Sequence, residues 1–98
     1  MSRKITEIIT RKFMNDECYR LSNSEVRTDF KTTRLYLFGN CIARKDKESG
    51  KIEVTLAGYN TTTTRERLNG LPNVSIRSKN FTPYLNGQEI DSCEWYAV

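Results

Sequence analysis

The sequence predicts an α+β fold: an antiparallel sheet of about five strands, an N-terminal amphipathic helix, and a second short helix near residues 63–69. Three patterns predict it. Ile5, Ile8, Ile9 and Phe13 recur at the helical period. Apolar and polar residues alternate over 52–56, and aliphatic and aromatic residues alternate over 35–38, as in strands with two distinct faces. Gly39-Asn40 and Asn86-Gly87 each separate two β-rich runs, where tight hairpins need residues that tolerate positive φ.

The elements follow in chain order. The first helix is expected over 3–16, capped by Ser2 and weakened at its end by Asn15-Asp16. Arg3, Lys4, Arg11 and Lys12 share its solvent side with Glu7, and its apolar stripe either packs on the sheet or binds a partner. Residues 17–34 are polar, with Ser22-Asn23-Ser24 as turn chemistry and Val26 and Phe30 as apolar anchors. Leu35 and Leu37 point one way, Tyr36 and Phe38 the other; Cys41-Ile42-Ala43 returns across Gly39-Asn40. A polar turn over 45–50 leads to the strand of Ile52, Val54 and Leu56, so 35–57 is an antiparallel meander. Thr63 or Thr64 caps the short helix, Asn69-Gly70 is a left-handed stop, and Pro72 prevents continuation. Val74 and Ile76 belong to another strand, Asn86-Gly87 forms a hairpin, and residues 95–98 close as a last strand or a docked tail.

Composition bounds the function. Ninety-eight residues make one domain, 1–98. Apolar residues at 37% and charged residues at 29% describe a thin core without a deep active-site cavity. The absence of histidine removes the commonest general base and metal ligand. The acids sit singly beside bases, so neither a metal nor another cofactor is expected, and the chain is expected not to be an enzyme. Cys18, Cys41 and Cys93 contain no CxxC pair and are expected as reduced, structural thiols. Apolar runs are too short for a membrane span, and charges interrupt the N-terminus, so no signal peptide is expected and a cytoplasmic location follows.

Charge is unevenly placed. All sixteen Lys and Arg lie in residues 1–79 with nine acids, a net +7, whereas Glu89, Asp91 and Glu94 make the last nineteen residues acidic. A basic body suggests a polyanionic partner such as a nucleic acid, and the alternative is a well-solvated surface of modest net charge. The run Thr61 to Thr64 is the oddest local feature, because four β-branched residues are poor helix formers. Either one threonine caps the helix and the others extend a strand end, or the whole block binds an anion. In the second case Thr63, Thr64, Arg65 and Arg67 supply donors to phosphate. Tyr59 and Asn60 before the block, and Arg77 and Lys79 on the next strand, complete the candidate nucleic-acid site. Tyr36, Phe38, Tyr59, Phe81 and Tyr84 are candidate base-stacking rings, of which one or two are expected to be exposed.

Three stretches, LYLFGNCIARKD (35–46), LAGYNTTTTRERLNGL (56–71) and YLNGQEI (84–90), together resemble a recurrent type of small tailed-phage protein. These pair an L-x-L-x-G-N-x-I-A strand with an A-G-x-x-T-x-T-T-R-x-R-L-N-G block and a closing N-G hairpin. The chain departs from the pattern at Phe38, where many of these sequences carry a polar residue. The chain is also similar to phage inhibitors of the RNA-cutting toxin of type III toxin–antitoxin defence. That resemblance implies a counter-defence protein working through bound RNA in the host cytoplasm, with a toxin ribonuclease as its possible protein partner. Thr64, Arg65 and Arg67 are then the first residues to test. The alternative is a protein-only inhibitor of a host enzyme. It would act through the first helix or through the acidic tail beside Trp95 and Tyr96, since aromatics are favoured interface anchors.

Overall fold

A computed structural model describes residues 2–98, with side chains described from residue 4 onward. The expected cap by Ser2 and the solvent position of Arg3 lie outside the described side chains. Helix α1 (Ser2–Met14) is followed by β1 (Tyr19–Leu21), β2 (Ser24–Thr28), β3 (Thr32–Leu37), β4 (Asn40–Asp46) and β5 (Ile52–Val54). Helix α2 (Thr62–Asn69), β6 (Ile76–Lys79), β7 (Thr82–Leu85), β8 (Gln88–Glu89) and β9 (Tyr96–Ala97) complete the chain. The fold is α+β, as expected. The strands form two antiparallel sheets, one of six in the order β1-β2-β3-β4-β5-β9 and one of three, β6-β7-β8.

Two of the additional strands lie in the polar stretch 17–34. It forms the hairpin β1–β2, with Val26 buried and Ser24 buried beside it. Phe30 does not anchor anything: it is 92% exposed at the β2–β3 turn, where Asp29 Oδ1 accepts the backbone N–H groups of Lys31 and Thr32. The turn between β3 and β4 is Phe38-Gly39, one residue earlier than expected, with φ of 51° and 81°. A bulge between Leu35 and Tyr36 explains how β4 still fits. Leu35 opposes Ala43 and Tyr36 opposes Cys41, so Ile42 is the extra residue, and Ile42 and Ala43 are both buried. A second two-residue turn, Asn80-Phe81, joins β6 to β7 with both φ positive, and Phe81 is 98% exposed. Asn86-Gly87 turns as expected.

Helix α1 buries Ile9 and Phe13 completely, with Thr6 and Thr10 between them and α2, while Ile5 and Ile8 are only half-buried. The buried face is therefore rotated toward the threonines. Gly70 explains the rotation. It closes α2 in a right-handed conformation (φ −76°), not the left-handed one expected of Asn69-Gly70. Its bare Cα instead admits the methyls of Thr6 and Thr10, so glycine serves close helix packing here. One apolar cluster joins these helices to both sheets through Leu35, Leu37, Ile42, Val54, Leu56, Leu68, Ile76 and Leu85.

The end of α1 is held by charge. Asp16 takes a left-handed φ of 56°, and Glu17 N–H reaches the Lys12 carbonyl at 3.0 Å, closing a Schellman turn. Lys45 Nζ donates to the Met14 carbonyl at 2.7 Å and pairs with Asp16 at 3.1 Å. The Thr33 hydroxyl donates to Asp16 Oδ1 at 2.6 Å, and this bond, with the Lys45 charge, holds the Asp16 carboxyl below its usual range. A depressed carboxyl contributes stability that is complete above the unfolded value of ~3.9 and is lost as pH falls through the folded one. Asp29 is depressed too, chiefly by the Lys31 and Thr32 N–H groups. Asp16→Asn is therefore expected to flatten part, not all, of the stability loss below pH ~4 in acid-titrated thermal melts, with little change in slope above it.

The cysteines are free, as expected, but they are not a buried set: Cys18 and Cys93 are exposed. Cys41 is half-buried, and burial pushes its thiol up. Among the described residues no helix is long and apolar enough to cross a membrane.

Candidate nucleic-acid interface

The threonine block is a capping device first. Thr61, not Thr63 or Thr64, is the cap of α2: its backbone is extended and its Oγ1 accepts the Thr64 N–H at 3.2 Å. Thr64 is buried and its hydroxyl meets that of Thr61 at 2.9 Å, while Thr63 is half-buried. Asn60 ties this corner to the small sheet, its Nδ2 donating to Ser78 Oγ and the Phe81 carbonyl. Arg65 folds back onto Asn60, donating to its carbonyl at 3.1 Å and to its Oδ1.

Arg67 overturns the expected anion site. It is 1% exposed, the largest fully buried side chain described. Nε donates to Ser24 Oγ at 2.9 Å, Nη1 to Thr6 Oγ1 at 2.8 Å and Nη2 to Asn23 Oδ1 at 3.2 Å. One guanidinium thus ties α1, α2 and the β1–β2 turn together, and a phosphate cannot reach it. Burial lowers its pKa from the ordinary arginine value, which still leaves a cation at neutral pH. Arg77 and Lys79 are exposed, but they alternate with Ser78, which faces Asn60 and α2. Their register puts them beside Tyr84 and Thr82 on the other face of the small sheet. Arg65, Arg67, Arg77 and Lys79 therefore do not gather into one anion-binding surface.

The cations that do gather lie on the six-stranded sheet. Arg27 pairs with Arg34 across β2 and β3, Arg34 with Arg44 across β3 and β4, and Arg44 with Glu53 on β5. The helices pack on the opposite face, the one that buries Val26, Leu35 and Val54. Each arginine spends one contact on a carboxylate: Nε of Arg27 on Glu25, Nη1 of Arg34 on Asp29, and Nε of Arg44 on Glu53, all at 2.9 Å. The remaining N–H donors of each fork stay available. Two aromatic rings accompany the row: Tyr36 lies 5.6 Å from the Arg27 guanidinium and Trp95 4.1 Å from that of Arg44. Beyond Arg44 the margin carries mixed charge, with Lys31, Lys47 and Lys51 interspersed with Asp46, Glu48 and Glu53.

Sequence reasoning missed this row because Arg27, Arg34 and Arg44 are far apart in the chain and converge only through strand register. The legible signal is the alternation Arg34-Leu35-Tyr36-Leu37, which already assigns Arg34 and Tyr36 to one face. Of the five candidate stacking rings, Phe38, Tyr59 and Phe81 are exposed, more than expected, while Tyr36 and Tyr84 are half-buried.

The end of the acidic tail joins the same sheet, whereas Glu89 lies in β8 of the small sheet. Strand β9 pairs with β5, Tyr96 Oη accepts the Asp91 N–H at 2.7 Å, and Val98 N–H reaches the Ile52 carbonyl at 3.0 Å. Trp95 is half-buried, with the Arg44 guanidinium over its ring. Among the described residues no group of three His, Cys, Asp or Glu side chains is arranged to hold a metal.

A family model described as Kyanoviridae Gp96 protein matches residues 2–97. The chain belongs to the Kyanoviridae Gp96 family. It is thus a tailed-phage protein, and the family match takes in α1 and the 17–34 hairpin, which lie outside the stretches that carry the resemblance over 35–90. No curated protein and no solved structure matches this Gp96-family chain.

Proposed function

We propose that this Gp96-family protein is a non-enzymatic module that binds single-stranded RNA across the open face of its six-stranded sheet. The observation that carries this is the cross-strand row Arg27, Arg34 and Arg44 with Tyr36 and Trp95 beside it, on a face no helix covers. Glu25, Asp29 and Glu53 already offset the like charges opposed across the strands, so phosphates would be held by the fork donors that these pairs leave. Rings beside cations suit a flexible strand, since bases stack without regard to sequence while the guanidinium groups hold the backbone. The resemblance to inhibitors of type III toxin–antitoxin ribonucleases supplies the biological use. The protein would act in the host cytoplasm as a counter-defence factor, occupying RNA or bridging it to the toxin.

The test is a salt titration of RNA binding. Wild-type affinity is expected to fall steeply between ~50 and 200 mM salt, because each neutralised phosphate releases counterions. Replacing Arg27, Arg34 and Arg44 together by Gln is expected to lower affinity about a hundredfold or more at low salt. The log–log salt slope should become shallower by about 2, the value for three phosphates on a single strand. The loss should be uniform across sequences. Absent or salt-independent binding by the wild type overturns the proposal, and tighter binding to DNA of the same sequence overturns the assignment to RNA.

A further inference from the structure

A groove of about 370 Å3 opens at the Phe38-Gly39 end of the large sheet, lined by Leu37, Phe38, Asn40, Ile42, Leu56 and Tyr59, with Thr61 and Thr64 beyond. Its floor is apolar and buried, since Leu37, Ile42 and Leu56 belong to the core. Its walls include two rings left in solvent, Phe38 at 69% and Tyr59 at 54% exposure. Phe38 is held there at a real expense: a bulky residue at φ 51° occupies the left-handed region that such side chains avoid. Two polar features face the same space. The Asn40 side-chain amide makes no hydrogen bond among the described residues. Thr61 and Thr64 share one hydroxyl–hydroxyl contact, which uses one of their two O–H donors and leaves the other.

Phe38 also borders a second depression, formed with Arg20, Glu25, Arg27 and Tyr36 on the open face of the sheet. The arginine row and the groove therefore adjoin at one ring. Arg27 and Phe38 line that depression together with Tyr36 between them, so a chain held at Arg27 that turns along β3 reaches Phe38, and the space behind Phe38 is apolar with an amide and a hydroxyl at its edge. Those are the requirements for a planar heteroaromatic ring with a hydrogen-bonding edge. The volume lies within the ~300–1,000 Å3 range of small-ligand sites, enough for one base.

We propose that the groove between Phe38 and Tyr59 is a pocket for one unpaired nucleobase, entered around the Phe38-Gly39 turn that separates it from the arginine-lined face; this rests on the RNA-binding function proposed above. The two rings flank the base, and the Asn40 amide and the spare threonine hydroxyl contact its edge. The threonine block thereby has a second use besides capping, and paired RNA is disfavoured because a base would first have to be unpaired and unstacked.

The experiment uses the full chain and an oligouridylate carrying one 2-aminopurine, whose fluorescence is quenched on stacking against a ring. Quenching on binding to wild type, abolished by excess unlabelled single strand and absent with a 2-aminopurine locked in duplex RNA, is the expected result. Phe38→Asn, which suits the positive φ, and Tyr59→Ser are each expected to weaken single-strand binding about tenfold. Neither should change the salt slope, because neither ring carries charge. Asn40→Leu should weaken binding with quenching retained. If the wild type binds RNA with its steep salt dependence but 2-aminopurine is not quenched and both ring variants bind as wild type, the pocket is wrong and sheet-borne binding stands. If the wild type binds no RNA, both proposals fall together. Equal weakening of duplex and single-strand binding by the ring variants also overturns the pocket.

Discussion

Arg67→Ala is expected to lower folding stability by about 3–5 kcal/mol, the range for removing one member of a buried, hydrogen-bonded charged network. Two penalties combine. The largest fully buried side chain described leaves a void between two helices and a strand turn. Thr6, Ser24 and Asn23 each lose a donor, though Ser24 and Asn23 keep the bond between them, and a buried polar group without a partner costs about 1–3 kcal/mol. For a domain of this size the melting temperature should fall by roughly 15 °C or more. Arg67→Lys keeps the charge but not the planar fork that reaches three partners, so most of the loss should remain. Urea denaturation checks the stability. RNA affinity measured on the folded fraction should be unchanged, because the side chain has no route to a phosphate. An Arg67→Ala protein of wild-type stability that no longer binds RNA would place the residue at the surface and contradict its burial.

Gly70→Ala is the second large effect, and its sign is informative. At φ −76° an alanine is conformationally acceptable, and on backbone entropy alone the change would stabilise by about 0.4–1 kcal/mol. The packing argues otherwise. An added Cβ would meet the Thr6 methyl at 2.5 Å and the Thr10 methyl at 2.9 Å. Neither threonine turns aside freely: Thr6 Oγ1 accepts from Arg67, and Thr10 Oγ1 donates to the Thr6 carbonyl at 2.7 Å. Overpacking of this kind costs about 1–3 kcal/mol, so net destabilisation is expected. The double change Thr6→Ser and Thr10→Ser removes both methyls and keeps both hydroxyls, and it should restore much of the loss in a Gly70→Ala background. The cycle of stabilities measured by chemical denaturation isolates that coupling. A stabilised Gly70→Ala protein would refute the close helix approach.

Both residues belong to the stretch that looked most functional in the sequence. Arg67 and Thr64 sit beside Arg65 on paper as a run of donors. A short helix nevertheless sends alternate residues to different faces, and a period of 3.6 places Thr64, Arg67 and Leu68 together on the buried one. The unfavourable run of threonines has its explanation in local chemistry: Thr61 caps, Thr64 packs beneath it, and Thr62 lies exposed beside Arg65. An arginine destined for the core is hard to recognise in advance, because its partners Thr6, Asn23 and Ser24 are more than forty residues away.

The period of the apolar residues determined the fold class. Ile9 with Phe13, Leu35 with Leu37, and Ile52 with Val54 each bury as the spacing requires, since an element can hide only the face its geometry aligns. Turn chemistry determined the Asn86-Gly87 hairpin for a similarly local reason, a backbone conformation that few residues accept. The position of the β3–β4 turn was decided by tertiary structure, where one bulge buries both Ile42 and Ala43 and draws Phe38 into the loop. So was the choice of which cations are structural and which are presented. Burial of Arg67 depends on hydroxyls contributed by α1 and the β1–β2 turn, and the row of Arg27, Arg34 and Arg44 exists only once three strands align. Long-range pairing sets both outcomes, because the free energy of a charged side chain depends on what surrounds it in space and not on its neighbours along the chain.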